Sequence, residues 1–264
     1  MRIASWNVNS IKIRLPNLLR WLKQAEPDVV VLQEIKCIES GFPTLEIEAA
    51  GYRCAVVGQK TYNGVAILSR HPFTVERRAL PGEAEDEPAR YIEAIVEPKG
   101  INGKRQIVRV AGIYFPNGNP APGPKYDYKL AFMARFEAHA RDLLAFEEPL
   151  VLGGDYNVIP EPEDVYNPQA WLTDALFLPT TRAAFRGLMN LGFTDAFRAL
   201  HSEVAYTFWD YQAGAWAKDH GLRIDHLMLS PQAADRLVAS GIDKKPRDWE
   251  KPSDHTPVWC ELKL

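Results

Sequence analysis

The sequence is poor in cysteine. Cys37, Cys54 and Cys260 are the three thiols in 264 residues, odd in number and without a CxxC pair. That excludes a scaffold held by a disulfide framework and any thiolate zinc ribbon. The thiols read as reduced residues of a cytoplasmic protein, with Cys54 and Cys260 packed inside apolar strand-like runs. Long hydrophobic runs are missing too: no stretch has the length a membrane helix needs, so no membrane partner is expected. Met1–Asn7 shows neither an apolar signal core nor a small-residue cleavage site. A dominant charge is absent: 31 Lys and Arg stand against 34 Asp and Glu, a net charge of −3 with a pI near 6.1. This is not the global signature of a nucleic-acid binder, although a basic rim around an acidic metal site would sum to a similar figure. Hydrophobic residues at 46% exclude disorder. With no linker, low-complexity tract or break in composition, residues 1–264 are expected to form one domain.

What is present is organised around Leu150–Pro160. Three aliphatic residues read as a buried strand, Gly153 and Gly154 would let the backbone turn, and Asp155 and Asn157 follow. If the extended conformation continues, these two side chains point the same way. The stretch is a strand-end turn or half of a site, and by itself it fits both. Further strands are expected at Arg2–Trp6, Asp28–Leu32, Arg53–Val57, Gly64–Leu68, Phe73–Arg78, Arg90–Glu97, Gln106–Tyr114, Leu222–Leu229 and Pro257–Leu262. Helices are expected from Pro16, through Leu130–Leu144, over Ala183–Leu191 and after Ser230-Pro231. Pro81–Pro88, with Glu85, Asp86 and Glu87, reads as a solvated loop, and Gly100–Gly103 as a turn. Trp6-Asn7-Val8 and Tyr156-Asn157-Val158 echo one another at two strand ends and hint at two similar halves.

Four apolar strands end or begin abruptly in polar residues. They are flanked by Asn7 and Asn9, by Glu34, by Asp155 and Asn157, and by Ser253-Asp254-His255. Asp225 lies inside a fifth, between Ile224 and Leu227, where an unpartnered acid is costly to bury. One loop carboxylate is ordinarily just solvated; five such strand ends together indicate an active site. The donors are hard oxygens, which suits Mg²⁺, or Mn²⁺, and metal-assisted hydrolysis of a phosphate ester. Asp225 and His255 form a plausible carboxylate–imidazole pair.

These runs, with Leu32-Gln33-Glu34-Ile35-Lys36, Tyr114-Phe115-Pro116-Asn117-Gly118 and Gly221-Leu222-Arg223-Ile224-Asp225, resemble the exonuclease III family of abasic-site endonucleases. That family belongs to the endonuclease/exonuclease/phosphatase superfamily. The resemblance covers essentially the whole chain, and the last two runs are its narrow part. It implies an α/β fold, a four-layer α/β/β/α sandwich of the deoxyribonuclease I-like type. It implies cleavage of DNA 5′ to abasic sites with 3′-end trimming, acting as a monomer on duplex DNA carrying abasic sites or blocked 3′ ends. By similarity Glu34 is the principal Mg²⁺ ligand, with Asn7, Asp155, Asn157 and Asp254 available to a first or second ion. Asp155 handles the attacking water, Asn157 positions it, Tyr114 contacts the scissile phosphate and Asp225 pairs with His255. Phe208, Leu222 and Ile224 surround the baseless sugar. Lys12, Arg14, Lys36, Lys60, Tyr62, Asn63, Asn117 and Lys125 are candidate DNA contacts, each otherwise ordinary surface. Asn9 stands where some members carry aspartate, Ser10 where glycine is common, and Phe208-Trp209 reverses the order of some bacterial relatives. The competing expectations are an RNA or lipid phosphoesterase of the same superfamily, and a non-catalytic DNA-binding relative.

Overall fold

A computed structural model describes residues 1–83, 88–98 and 106–264. Glu85, Asp86 and Glu87 of the expected acidic loop and the Gly100–Gly103 turn fall outside them. The first sheet contains β1 (Arg2–Asn7), β2 (Val29–Gln33), β3 (Arg53–Val57) and β4 (Val65–Ser69). The second contains β5 (Phe73–Arg77), β6 (Tyr91–Val96), β7 (Val108–Tyr114), β8 (Leu150–Asp155), β9 (Thr194–Asp195) and β10 (Asp225–Leu229). The chain then returns to the first sheet as β11 (Leu237–Ile242) and β12 (Val258–Leu262). The helices are α1 (Ile11–Ala25), α2 (Thr44–Ala49), α3 (Pro124–Leu144), α4 (Pro179–Asn190) and the single turn α5 (Pro231–Ala234).

The sheets run in the orders β11-β12-β1-β2-β4-β3 and β5-β6-β7-β8-β10-β9. Each has one parallel pair at its centre, β1 with β2 and β7 with β8. A parallel pair needs a crossover, here α1 and α3. The two orders are therefore the same topology, with β1 equivalent to β7 and β2 to β8. Two similar halves exist, but the Trp6-Asn7-Val8 echo does not mark them, because it links the ends of β1 and β8, which are not equivalent.

Alternation along the strands builds the layers. Ile3, Val29, Val31, Val110 and Val151 point between the sheets and form the central core. Ala4, Trp6, Val30 and Leu32 point the other way, against Leu18, Trp21 and Leu22 of α1. Leu150 and Leu152 likewise meet Phe132 and Phe136 of α3 and Phe185 of α4. Each such aliphatic side chain contributes about 1.5–3 kcal/mol of burial. The four-layer α/β/β/α sandwich follows from these three apolar layers.

Several local expectations are corrected. Gly153 and Gly154 do not turn the chain: both lie within β8, which runs on to Asp155. Their role is close approach, since a Cβ on Gly154 would lie 2.0 Å from the Ile113 carbonyl oxygen and one on Gly153 2.7 Å from Leu227. Helix α1 starts at Ile11 rather than Pro16, which sits inside it. Ile11 is drawn in by burial with Val8 and Ile35, and this outweighs the one helical bond Pro16 cannot make. Helix α4 starts at Pro179, which takes the first helical position. Leu222–Ile224 precede β10 as a loop in which Leu222 bridges to Val165 and Phe208.

Candidate active site

The mouth is built where strand ends of both sheets meet. Asn7 ends β1, Glu34 follows β2, Tyr114 ends β7, Asp155 ends β8 and Asp225 opens β10. Because β8 pairs with both β7 and β10, Asp155 faces Tyr114 on one side and Asp225 on the other in the strand register. The Ser253-Asp254-His255 segment is pinned from beneath: Ser253 Oγ donates to the Asn7 carbonyl at 2.7 Å, and Trp6 Nε1 donates to the His255 carbonyl at 3.1 Å.

The side chains form a continuous polar chain. Asn7 Nδ2 donates to Glu34 Oε1 at 3.1 Å and to Asp155 Oδ2 at 3.0 Å. Tyr114 donates its hydroxyl to the same Glu34 oxygen at 2.8 Å, and Lys36 Nζ pairs with Glu34 Oε2 at 2.8 Å. His255 Nδ1 bonds Asp225 Oδ2 at 2.8 Å, leaving Nε2 3.8 Å from Asp155 Oδ2. Asp155, Asp225 and His255 are nearly sealed from solvent, at 1%, 2% and 4% exposure.

Asn157 does not continue the strand: its φ of 47° is left-handed, and its N–H caps Asp155 Oδ1 at 2.9 Å. Its side-chain amide donates to the Phe115 carbonyl and accepts from Asn117 Nδ2. Glu34 and Asn9 are also left-handed. For a residue such as Glu34 that conformation costs of order 1–3 kcal/mol, and such strain gathers at functional sites.

Burial raises the Asp155 pKa, and the charges of Asp225 and Glu34 add to it against the opposing pull of His255. Burial would lower the His255 pKa, but Asp225 and then Asp155 overcome it and hold the imidazole well above its usual range. At Glu34 burial acts upward and is outweighed by Lys36 and Asn7, so the carboxylate stays ionised. Burial, with the charges of Glu34 and Asp155, pushes the Tyr114 phenol far up, which keeps it a proton donor.

These residues fit a hard divalent cation. Ligand-type atoms of Asp155, Asp225 and His255 all lie within 4.8 Å of one another. Glu34 and Asp155 converge on one amide nitrogen, and buried Asp225 Oδ1 has no hydrogen-bond partner. Carboxylate-dominated donors of this kind suit Mg²⁺ or Mn²⁺. Asn7 turns its oxygen to the Asn9 N–H at 3.0 Å, so its nitrogen faces the carboxylates. Asp254 stands one layer out, accepting from Asn9 Nδ2 at 3.0 Å.

The other expected residues divide. Phe208 is half-buried with its ring centroid 4.9 Å from that of His255, whereas Leu222 and Ile224 are buried behind it in one apolar cluster. Trp209 is wholly core. Lys12, Lys60, Tyr62, Asn117 and Lys125 are exposed. Asn117 and Lys125, with Arg90 and Tyr128, line a cleft of about 540 Å³. Asn63 is held by Gln59 at 2.9 Å. Arg14 is spent on the carbonyls of Asn9 and Pro252 and on the Tyr211 hydroxyl, and Lys36 on Glu34 and Asn9 Oδ1. Lys129 joins the site without having been among the residues expected there. Its signal was legible: Tyr126, Lys129, Phe132, Met133 and Phe136 form the buried stripe of α3, and a lysine on an apolar stripe needs a reason. Burial brings its ammonium down to about 7, opposed by the charges of Asp155 and Asp174.

Two six-stranded sheets face to face, with carboxylates and an imidazole at the shared mouth, define a metal-dependent phosphoesterase. Residues 4–255 match the model of the Endonuclease/Exonuclease/phosphatase family, and the chain belongs to that family. It is similar to exodeoxyribonuclease III of Haemophilus influenzae, 34% identical over all of both chains. The structure of an AP endonuclease from Archaeoglobus fulgidus superimposes with a TM-score of 0.92 at 36% identity, covering both chains fully. The 3′-5′ exonuclease NExo of Neisseria meningitidis gives 0.93 at 37%, again over both full chains. A second structure of the Neisseria enzyme, as a 3′ phosphatase, holds a product DNA hairpin.

Proposed function

We propose that the protein is a DNA repair nuclease that uses Mg²⁺, or Mn²⁺ in its place, to hydrolyse the DNA backbone 5′ to abasic sites and to trim blocked 3′ ends. The observation that carries this reading is Asp155, held between His255 on one side and the Asn7–Glu34 pair on the other. The relatives named as exodeoxyribonuclease III and AP endonuclease support the choice of substrate.

Glu34, Asp155 and Asp225 are the carboxylates placed to hold the cation, with Asn7, Asn157 and Asp254 around them. When bound, the cation neutralises charge on the phosphoryl oxygens. Asp155 takes the proton of the attacking water, a task for which a raised carboxylate pKa is suited. Asp225 fixes Nδ1–H of His255, so that Nε2–H is left to donate to a phosphate oxygen. Tyr114, which gives its hydroxyl proton to Glu34 here, is positioned to contact the scissile phosphate. Asn157 keeps a second amide hydrogen for the phosphoryl oxygen or the water.

Phe208, with Leu222 and Ile224 behind it, offers an apolar wall to a sugar without a base, whose extrusion costs little stacking. Lys12, Lys60 and Lys125, with Tyr62, Asn63 and Asn117, supply backbone contacts to duplex DNA. The enzyme acts as a one-domain monomer in the cytoplasm. The test is a duplex with one tetrahydrofuran abasic analogue, incubated with Mg²⁺ or with EDTA. Incision with Mg²⁺ alone is expected; intact duplex in both would overturn the reading.

A further inference from the structure

We propose that Lys129 is a positioning residue of this site: its buried ammonium clamps the loop after β7 to the loop after β8 and so sets the placement of Asn157 and Asp155. The role in turnover rests on the phosphodiesterase reading above; the clamp itself does not.

Lys129 is fully buried. Its Nζ donates to the Asn117 carbonyl at 3.0 Å and to the Asn157 carbonyl at 2.5 Å. No carboxylate pairs with it among the described residues, so two backbone dipoles from two different strand ends stand in for a counterion. Burying an ammonium on such terms is costly for stability. A methionine or leucine would complete the α3 stripe more cheaply, so the lysine is explained by what the carbonyls belong to. Asn157 is left-handed, and its N–H caps Asp155 Oδ1. Rotation of the Asn157 peptide would break that cap. Lys129 fixes the carbonyl at the far side of the same residue. Asn117 Nδ2 meets Asn157 Oδ1 at 3.3 Å, a second link between the same two loops.

The Tyr-Phe-Pro-Asn-Gly run gains a physical reason. Gly118 has a φ of 90°, and a Cβ there would lie 2.6 Å from Lys129 Cδ and 3.2 Å from Ala175 Cβ. The glycine lets the loop wrap the lysine stem closely enough for the Asn117 carbonyl to reach Nζ.

The test is Lys129→Met, which keeps the length of the stem and removes the ammonium. Amide hydrogen exchange is read on peptides covering 115–119 and 155–158, and single-turnover cleavage on the abasic-analogue duplex with Mg²⁺. Exchange in these two segments is expected to rise at least tenfold while the rest of the sandwich is unchanged. The cleavage rate at saturating DNA is expected to fall 30-fold or more, with DNA affinity within threefold of the parent. Adding Lys129→Met to Asn157→Ala is expected to cost clearly less than Lys129→Met costs the parent, because one of the two positioned side chains is already gone. Unchanged exchange in both segments overturns the clamp, even if the parent protein cuts no DNA. A rate within threefold of the parent, or full additivity with Asn157→Ala, overturns the positioning role. Should Lys129→Met not fold, Gly118→Ala presses the same contact from the opposite side and is read by the same two measurements with the same outcomes.

Discussion

Arg223 and Asp225 are two residues apart, yet they serve two opposite clusters of buried charge. Arg223 is 2% exposed and fully matched. Its guanidinium grips Asp164 with two nitrogens at 2.7 and 3.1 Å and Asp195 with a third at 2.7 Å, while Arg198 adds a 2.6 Å bond to Asp164. Burial pushes both aspartates up, but the Arg223 charge outweighs it and lowers both. At the start of β10, Asp225 leaves one oxygen without a partner, and the Asp155 beside it is raised instead of lowered. One cluster has cations enough and fixes the fold. The other is short of positive charge, which is the condition for holding a metal and moving a proton. The contrast separates a narrow run such as Gly-Leu-Arg-Ile-Asp into an arginine matched on every side and an acid left short of a partner.

The comparison can be broken most sharply at Asp155. Asp155→Asn is expected to lower the single-turnover rate by about 10²–10⁴-fold, the usual contribution of a positioned base. Its melting temperature should stay level or rise, because a crowded like charge is removed. A fall in melting temperature would place Asp155 with the structural acids. Arg223→Met should do the reverse, costing about 3–5 kcal/mol in urea unfolding by taking the guanidinium from buried Asp195 and leaving Asp164 with Arg198 alone. Cleavage per folded molecule should persist, and an unchanged unfolding midpoint would remove the distinction.

The two clusters also part with pH. Asp164 and Asp195 have depressed folded pKa values, so their stabilisation is present above the unfolded aspartate value, about 3.9, and is lost as pH falls through the folded values. As far as these two groups are concerned, thermal midpoints should therefore hold above about pH 4 and fall progressively below it. Burial and the neighbouring carboxylates raise the Asp155 pKa in the cation-free site, so protons should compete with Mg²⁺ there and cleavage at low Mg²⁺ should fail at a higher pH than stability does. Coincident losses in rate and melting profiles would contradict this. The smallest effect is expected at Tyr114→Phe. It deletes one 2.8 Å bond to Glu34, and a rate loss of about tenfold corresponds to the net worth of one hydrogen bond to a charged group.

Much of this was legible in the sequence because strand alternation and helix stripes are local. Val29, Val31 and Val30, Leu32 announce two buried faces by period alone. Strand ends carrying Glu34, Asp155, Asp225 and His255 were equally visible, since a polar residue abutting an apolar run is a local feature. Gly153 and Gly154 were misread because a glycine's local freedom looks the same whether it serves a turn or a close approach. Only the Ile113 carbonyl and Leu227, on the strands to either side of β8, distinguish the two. Strand β11 escaped notice because its residues are mostly half-buried and its partner β12 comes later in the chain. Lys129 was visible as a lysine on the apolar stripe of α3, but what it binds was not, because its acceptors are carbonyls of Asn117 and Asn157 and no side-chain pattern announces a backbone partner.

The sequence by itself determined the layers, the donor chemistry and the family, because all three rest on residue types in order along the chain. Only the tertiary structure decided which acids go short of cations. Pairing depends on who meets in the folded chain: Asp195 meets Arg223 along the edge of one sheet, Asp155 meets His255 from the other sheet's segment, and these partners lie 28 and 100 residues apart. Charge in a low-dielectric interior is settled by its nearest neighbours in space, and those are set when the two sheets close on one another.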